Sequence, residues 1–235
     1  MTEQRPDEGL KMSEHRGDLA KGSRLVLGVA AMGSGAALLV AIFFGVSLAF
    51  TLLLFALFAS FVFYLKYSNG RSADRLDLTA RVDTGLLAGI LATLVYDLFR
   101  VVLVKSLGLS FPPLGALPHF GHLLMGNGAS MRAAWIAGSI YHYLNGITFS
   151  IAYCFAFGGL NWKWGIAWAM GLEIAMFTVY PGWLHLSGMM EEFTLVSLSG
   201  HVAYGVVLGV VSQRYLHRVR EHGPFGPFSS QLSDK

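Results

Sequence analysis

Long apolar runs separated by short polar or basic stretches set the pattern of this chain. The first run, residues 25–65, is about twice as long as the roughly 20 residues that one helix needs to cross a bilayer. We therefore predict two helices, residues 25–43 and 46–65, joined by a tight turn near Gly45. Neither contains Lys, Arg, Asp, Glu or His, so we assign this hairpin to packing or to contact with a membrane protein partner.

Four further apolar runs each predict a crossing helix, at residues 84–104, 133–157, 164–180 and 195–216. In the first of these, Gly85, Gly89 and Thr93 recur every four residues, and Gly205 and Gly209 do so in the last. Small residues at this spacing let two helices approach closely. Pro181-Gly182 is expected to end the helix at 164–180, and the proline-rich stretch 105–132 is expected to be an outer loop that could hold a short interfacial helix.

Basic residues predict the orientation in the membrane. They are concentrated at four positions of the predicted loop 66–81 and at three near the end of the last helix: Lys66, Arg71, Arg75, Arg81, Arg214, Arg218 and Arg220. By the positive-inside rule these segments are cytoplasmic. The fold prediction is therefore an all-α polytopic membrane bundle of six transmembrane helices with both termini cytoplasmic, located in a bacterial plasma (inner) membrane.

The predicted organisation has four parts: a disordered cytoplasmic tail at 1–23, a transmembrane hairpin at 24–66, a four-helix membrane domain at 84–213 and a cytoplasmic tail at 214–235. Composition agrees, since 54% of the residues are hydrophobic and 13% are charged, against about 25% charged in soluble domains. The net charge of +3 is small and shows no nucleic-acid footprint. One cysteine, Cys154, excludes both an internal disulfide and a cysteine-based metal cluster.

Six polar residues interrupt the predicted helices of the four-helix domain: Asp97, Arg100, His142, Asn145, Glu173 and His201. Each of Asp, Lys and Arg costs about +2.5 to 3.5 kcal/mol to insert at a helix centre, so several at similar depth favour one shared polar site. The alternative is that each group satisfies a neighbour. Asp97 would then pair with Arg100, His142 would bond Asn145 or a tyrosine, and Glu173 would bind a water or a tyrosine hydroxyl. We expect the shared site in the outer half of the bundle.

Imidazole and carboxylate together suit a divalent metal such as zinc. The predicted metal ligands are His142, Glu173 and His201, with His119 and His122 able to reach down from the outer loop. A proton relay through the same groups is the alternative, because histidine titrates near neutrality. A haem held between His142 and His201 is a third arrangement, although no haem motif accompanies them.

These residues leave several function classes open. Metal-linked or proton-linked transport fits a polar path across the membrane, yet the sequence shows neither the broken helix pair nor the internal repeat of many carriers. An enzyme would need an activated nucleophile or a metal triad, and neither G-x-S-x-G nor H-E-x-x-H occurs, so no catalytic residue is assigned. A non-catalytic accessory or structural subunit is the alternative to a carrier. The expected partners are the lipid bilayer and a membrane protein that contacts the first hairpin, with no nucleic acid.

Four short motifs lie within the predicted four-helix domain: residues 85–93, His142 with Gly146 and Tyr153, Trp164-Gly165, and residues 200–209. On these motifs the part from about Gly85 to Val211 resembles a group of uncharacterised prokaryotic four-helix membrane domains. The resemblance implies an inner-membrane four-helix fold and, since the group has no assigned activity, no reaction. Asp97, Arg100 and Glu173 do not match its pattern.

Overall fold

A computed structural model describes residues 21–222, with side chains as far as residue 218. Within that part the chain is all-helical and contains no strand. The helices are α1 (Lys21–Ala31), α2 (Gly33–Phe44), α3 (Leu48–Asn69), α4 (Ser72–Leu107), α5 (Ala116–Met125), α6 (Met131–Ala156), α7 (Lys163–Trp183) and α8 (Met190–His222). One 3-10 turn, Ser187–Met189, precedes α8. The predicted all-α class is confirmed.

Three helical segments of the described chain are long and apolar enough to cross a membrane: Leu48–Asn69, Ser72–Leu107 and Ser187–Arg218. The pair α1 and α2 makes a fourth if the two helices count as one broken span. This agrees with a membrane protein, whereas the count of six crossings and the cytoplasmic termini stay predictions. Helices α6 and α7 are not among the apolar segments, because His142 and Asn145 in α6 and Lys163 and Glu173 in α7 lower their hydropathy.

The turn of the first hairpin lies where it was predicted. Gly45 ends α2 with φ of 66°, a left-handed conformation that glycine adopts without steric cost, and its N–H donates to the carbonyl of Ala41. Ser47 then caps α3, its hydroxyl accepting from Phe50 N at 3.5 Å. The predicted single helix at 25–43 is instead two helices, which meet at Met32 with a bend of 44°.

The stretch 66–81 is not the loop that its charges predicted. Helix α3 continues to Asn69 and α4 begins at Ser72, so only Gly70 and Arg71 lie between them. The Asp74 carboxylate accepts from Arg71 N at 3.2 Å, which supports the first turn of α4. Long basic side chains can extend from a helix into water, so a charge run does not by itself exclude a helix.

Arg81 was expected in a loop, and this expectation was wrong because the residue lies inside α4 with its side chain buried and only 1% of the residue exposed. Its Nε forms an ion pair with Asp77 at 2.9 Å, one helical turn earlier. Its Nη1 donates to the carbonyl of Cys154 near the end of α6. Arg24 adds a second cation at 3.1 Å from Asp77. Arg81 therefore connects α4 to α6 rather than marking a loop.

The last elements extend beyond their predicted bounds. Helix α7 continues through Pro181 and Gly182 to Trp183 instead of ending before them. Glu191 and Glu192, which lie between the predicted helices at 164–180 and 195–216, belong to the first turn of α8, where carboxylates stabilise the positive end of a helix. Glu192 also accepts from Phe111 N at 2.6 Å, which fastens the outer connection to α8. Residues 21–23 and 214–222 of the predicted tails are helical, and residues 1–20 and 223–235 lie outside the described part.

Helix α4 is the centre of the packing, because it lies against both α6 and α8, while α7 packs on α8. A Cβ added at Gly85 would lie 2.5 Å from the Cα of Ile151, and one at Gly89 would lie 2.6 Å from the Cα of Ile147. Gly205 is equally close to Ile166 at the interface of α8 with α7. Both predicted small-residue ridges are thus confirmed as close helix contacts.

The outer stretch 105–132 contains the short helix that the sequence allowed. Helix α5 has ten residues, about 15 Å at 1.5 Å per residue, and it packs on α6. Leu117 and Phe120 on its inner face are buried. Because α5 covers α6 from one side, it supplies part of the wall of the cavity described below.

Candidate functional site

A cavity of about 320 Å³ lies between α2, α4, α5, α6, α7 and α8. Most of its wall is apolar, from residues such as Leu38, Phe120, Phe149 and Met176. The residues on the wall whose side chains carry polar groups are Thr93, Tyr96, Asp97, Arg100, His142, Asn145, Tyr180, His201 and Tyr204. Five of the six residues expected to form a polar site thus line one cavity. The sixth, Glu173, contacts His201 on the cavity wall.

The first ion pair of the cavity joins α4 to α6. His142 Nε2 lies 3.0 Å from the Oδ1 of Asp97, and both side chains are mostly buried, at 18% and 16% exposure. The predicted partner of Asp97 was Arg100, one turn later on the same helix. The described residues contain no Asp97–Arg100 ion pair within 4.0 Å, because His142 on the facing helix takes that carboxylate. The expected bond between His142 and Asn145 is likewise replaced by this pair.

The second pair joins α7 to α8 and is more deeply buried. His201 Nδ1 lies 2.7 Å from the Oε2 of Glu173, and Ser197 Oγ donates to the same oxygen at 3.0 Å. His201 Nδ1 is also 3.0 Å from the carbonyl of Ser197. Glu173 is only 2% exposed, and its Oε2 is held by two side chains of α8.

Tyr96 connects the two pairs, and sequence reasoning missed it. Its ring centroid lies 5.9 Å from that of His142 and 4.9 Å from that of His201, the second in an edge-to-face arrangement. The available signal was spacing, because Tyr96 precedes Arg100 by four residues and an aromatic ring at that distance can accept a guanidinium on its face. An interior tyrosine is otherwise hard to distinguish from ordinary packing.

Arg100 is buried beside this tyrosine, with 9% of the residue exposed. Its guanidinium carbon lies 4.6 Å from the centroid of the Tyr96 ring. Within the described chain it forms no ion pair, and its buried Nε has no hydrogen-bond partner. A Cβ at Gly200 would lie 2.8 Å from Arg100 Cγ, so this glycine leaves room for the arginine side chain beside α8.

The predicted metal set is not assembled. No group of three His, Cys, Asp or Glu side chains in residues 21–218 is placed to hold a metal ion. His142 and His201 each pair with a different carboxylate, and both rings contact Tyr96. His119 packs 5.9 Å from the Trp183 ring, and His122 Nδ1 lies 3.4 Å from the carbonyl of Gly126, so neither outer histidine reaches the cavity.

Comparison with protein-family models, with characterised proteins and with solved structures found no match to this chain. The resemblance of its second part to uncharacterised four-helix membrane domains therefore stays a prediction. Any functional conclusion rests on the geometry of the cavity and its two ion pairs.

Proposed function

We propose that this protein is a multi-pass membrane carrier that moves a small solute together with protons. The observation that supports this is the placement of two histidine–carboxylate pairs, Asp97–His142 and Glu173–His201, on one cavity. A proton-linked site needs only groups that can gain and lose protons within hydrogen-bond reach of each other. A metal-linked site needs three converging ligands, which the described residues do not provide.

Each pair joins an imidazole, which can accept or release a proton, to a carboxylate within hydrogen-bond distance. With the histidine neutral, a pair has a charge of −1, and with the histidine protonated it has none. Both histidines line the cavity, so a solute bound there senses this change directly. By linkage, a solute that prefers the protonated state increases proton binding by the same factor, which is the basis of coupled movement.

A helix bend and a proline within a helix, both next to the cavity, also support a carrier. Met32, where α1 and α2 meet at 44°, lines the cavity, as does Tyr180, which directly precedes Pro181 within α7. Discontinuous helices around a central site are a common feature of membrane carriers. The bend at Met32 is a single discontinuity, and the broken helix pair of many carriers would need a second one.

For the membrane arrangement we propose six crossings, with both termini cytoplasmic in a bacterial inner membrane. Helices α6 and α7 have 26 and 21 residues, about 39 and 32 Å at 1.5 Å per residue, enough to cross a core of about 30 Å. Cysteine introduced at Asn127 should react with an impermeant thiol reagent in intact cells, and cysteine at Ser72 should not. Cys154 is buried and should add no background. The opposite labelling would reverse the orientation.

Proton-linked transport can be tested in liposomes that contain the full chain and an internal pH dye. With a pH gradient imposed, small organic acids, amino acids, sugars and monovalent cations would be added one at a time. We expect at least one of these classes to cause acidification beyond that in protein-free liposomes. Acidification by none of them, with the protein folded and inserted, would contradict the proposal.

The histidines provide the matched variants for this assay. His142→Gln removes a proton-accepting group from the cavity, and we expect it to reduce solute-dependent acidification by about a hundredfold, the lower end of the effect of losing an acid–base group. His122→Gln changes the same residue type outside the cavity and should leave the rate unchanged. Equal rates for the two variants would count against a role for the pairs.

The second candidate function is an accessory subunit, favoured by helix α3. Of its 22 residues only Leu48 and Thr51 are buried, and large apolar side chains such as Phe58 and Phe61 are exposed. Lipid can cover this surface, and so can a membrane protein partner. Replacing Phe58 and Phe61 by alanine would release a co-purified partner if the surface binds protein, and would leave a lone carrier unaffected.

A further inference from the structure

Arg100 is a buried cation for which the protein supplies no anion. Both carboxylates near it are paired with histidines, and its own contact is the face of Tyr96. A buried charge without a partner is costly, and helices keep such residues in the membrane mainly where they serve a ligand or pathway. Its position on the cavity wall therefore indicates an external anion.

A second, independent observation concerns the polar atoms of the same cavity. Five buried side-chain polar atoms in the described chain have no hydrogen-bond partner: Thr93 Oγ1, Arg100 Nε, Asn145 Oδ1, Trp168 Nε1 and Glu173 Oε1. The first three belong to residues that line the cavity. Buried polar groups in proteins are nearly always satisfied, so this concentration indicates that a bound molecule or water completes them.

The charges around the cavity favour a monoanion. They are the guanidinium of Arg100, the carboxylates of Asp97 and Glu173, and the two histidines paired with them. With both histidines protonated, these groups sum to +1, which a single negative charge neutralises. With both neutral the sum is −1, and any anion would be repelled, so the anion is expected to bind together with protons.

The apolar remainder of the cavity wall indicates which chemical group the rest of the ligand carries. Leu38, Leu117, Phe120, Phe149 and Val179 present an almost continuous apolar surface. At about 320 Å³ the cavity is at the lower limit of small-molecule sites, which hold about 300 to 1,000 Å³, and it is too small for a whole phospholipid. A short hydrocarbon chain fits both the volume and the wall.

We propose that the cavity binds a medium-chain monocarboxylate, with its carboxylate on the guanidinium of Arg100 and its hydrocarbon chain against the apolar wall. Arginine suits this task because its planar fork binds a carboxylate through two parallel hydrogen bonds. This assignment rests on the proposed carrier function, since it names the class of solute that would move with the protons.

Equilibrium dialysis of labelled octanoate, octanol and acetate against the full chain in phosphatidylcholine nanodiscs tests the assignment, with empty nanodiscs giving the lipid background. Octanoate should bind at least about tenfold more tightly than octanol, the effect of one charge-assisted hydrogen bond, and acetate should bind more weakly than octanoate. Arg100→Gln should lower octanoate affinity to that of octanol. Arg132→Gln removes an exposed arginine and should change neither.

Equal binding of octanoate and octanol by the native protein would overturn the assignment, whether or not the arginine variant folds. Displacement of octanoate by phosphatidylglycerol in the nanodiscs would identify an anionic lipid as the occupant instead and would also overturn it. Octanoate binding without proton movement in liposomes would contradict only the carrier function. Proton-linked movement of another solute, with no octanoate binding, would contradict only the solute class.

Discussion

An arginine is buried towards each end of helix α4, and the two guanidinium groups differ in their partners. At the beginning, Arg81 contacts the carboxylate of Asp77 and the carbonyl of Cys154. Further along, Arg100 lies against the ring of Tyr96 with its Nε unpaired. Helix packing is also tighter at the Arg81 end. There glycines bring α4 against α6, whereas a cavity of about 320 Å³ lies beside Arg100.

This difference distinguishes a buried cation that stabilises the fold from one whose charge no group of the described chain compensates. A buried charge that supports structure has its partners on neighbouring helices, as Arg81 does with Cys154 of α6. Arg100 has none within the described residues, so its burial carries a cost that the fold does not recover. Position in the sequence does not reveal the distinction, since both arginines lie on one continuous helix.

The largest effect should come from Arg81→Gln. This variant leaves the buried Cys154 carbonyl without its charged donor, whereas the half-exposed Asp77 keeps Arg24 as a partner. We therefore expect a loss of about 3 kcal/mol in the free energy of unfolding, the upper end for a hydrogen bond to a charged group. Unfolding by sodium dodecyl sulfate in mixed micelles measures it. If Arg81→Gln lowered the free energy of unfolding by less than Arg100→Gln does, the proposed difference between the two arginines would be wrong.

Next in size is the close contact near Arg81. Gly85→Ala places a Cβ 2.5 Å from the Cα of Ile151, a backbone atom that cannot easily move, and should cost about 1 to 3 kcal/mol of stability. The matched control is Gly171→Ala in α7, where nothing lies within 4 Å. That variant should be stabilising by up to about 1 kcal/mol through helix propensity. Similar melting temperatures for both alanine variants would argue against tight packing at this end.

At the cavity end, the pairing of Asp97 can be measured by a double-mutant cycle. Asp97→Asn combined with His142→Gln should show a coupling energy of about 1 kcal/mol, because the two side chains contact each other at 3.0 Å. The cycle of Asp97→Asn with Arg100→Gln serves as the control and should show a smaller coupling. A larger coupling energy for Asp97 with Arg100 than with His142 would instead support the Asp97–Arg100 pair expected from the sequence.

The smallest effect on stability should be that of Arg100→Gln itself. Since its Nε makes no hydrogen bond and no carboxylate of the described chain pairs with it, the change should alter the free energy of unfolding by about 1 kcal/mol or less, in either direction. Thermal unfolding of the purified protein without added carboxylate is the measurement. A loss as large as that of Arg81→Gln would show that the fold depends on both arginines.

Local sequence determined much of this architecture. The apolar runs predicted helices, the glycine at position 45 predicted the hairpin turn, and the four-residue spacing of Gly85 and Gly89 predicted a close helix contact. These features depend on hydropathy, backbone freedom and side-chain size, which a residue carries in any fold. The same reasoning selected five residues that line the cavity.

Tertiary structure alone decided which partner each polar residue has. Asp97 could meet Arg100 on its own helix or a side chain on a neighbour, and only the rotation of α6 against α4 brings His142 to it. In the same way, Tyr96 contacts two histidines from different helices, and Arg81 reaches a carbonyl on α6. Charge runs were also a poor guide to helix ends, because the basic stretch 66–81 is mostly helical. The reason is physical: helix formation is set by near neighbours in the chain, whereas an ion pair is set by the relative rotation and depth of whole helices, which depend on every contact between them.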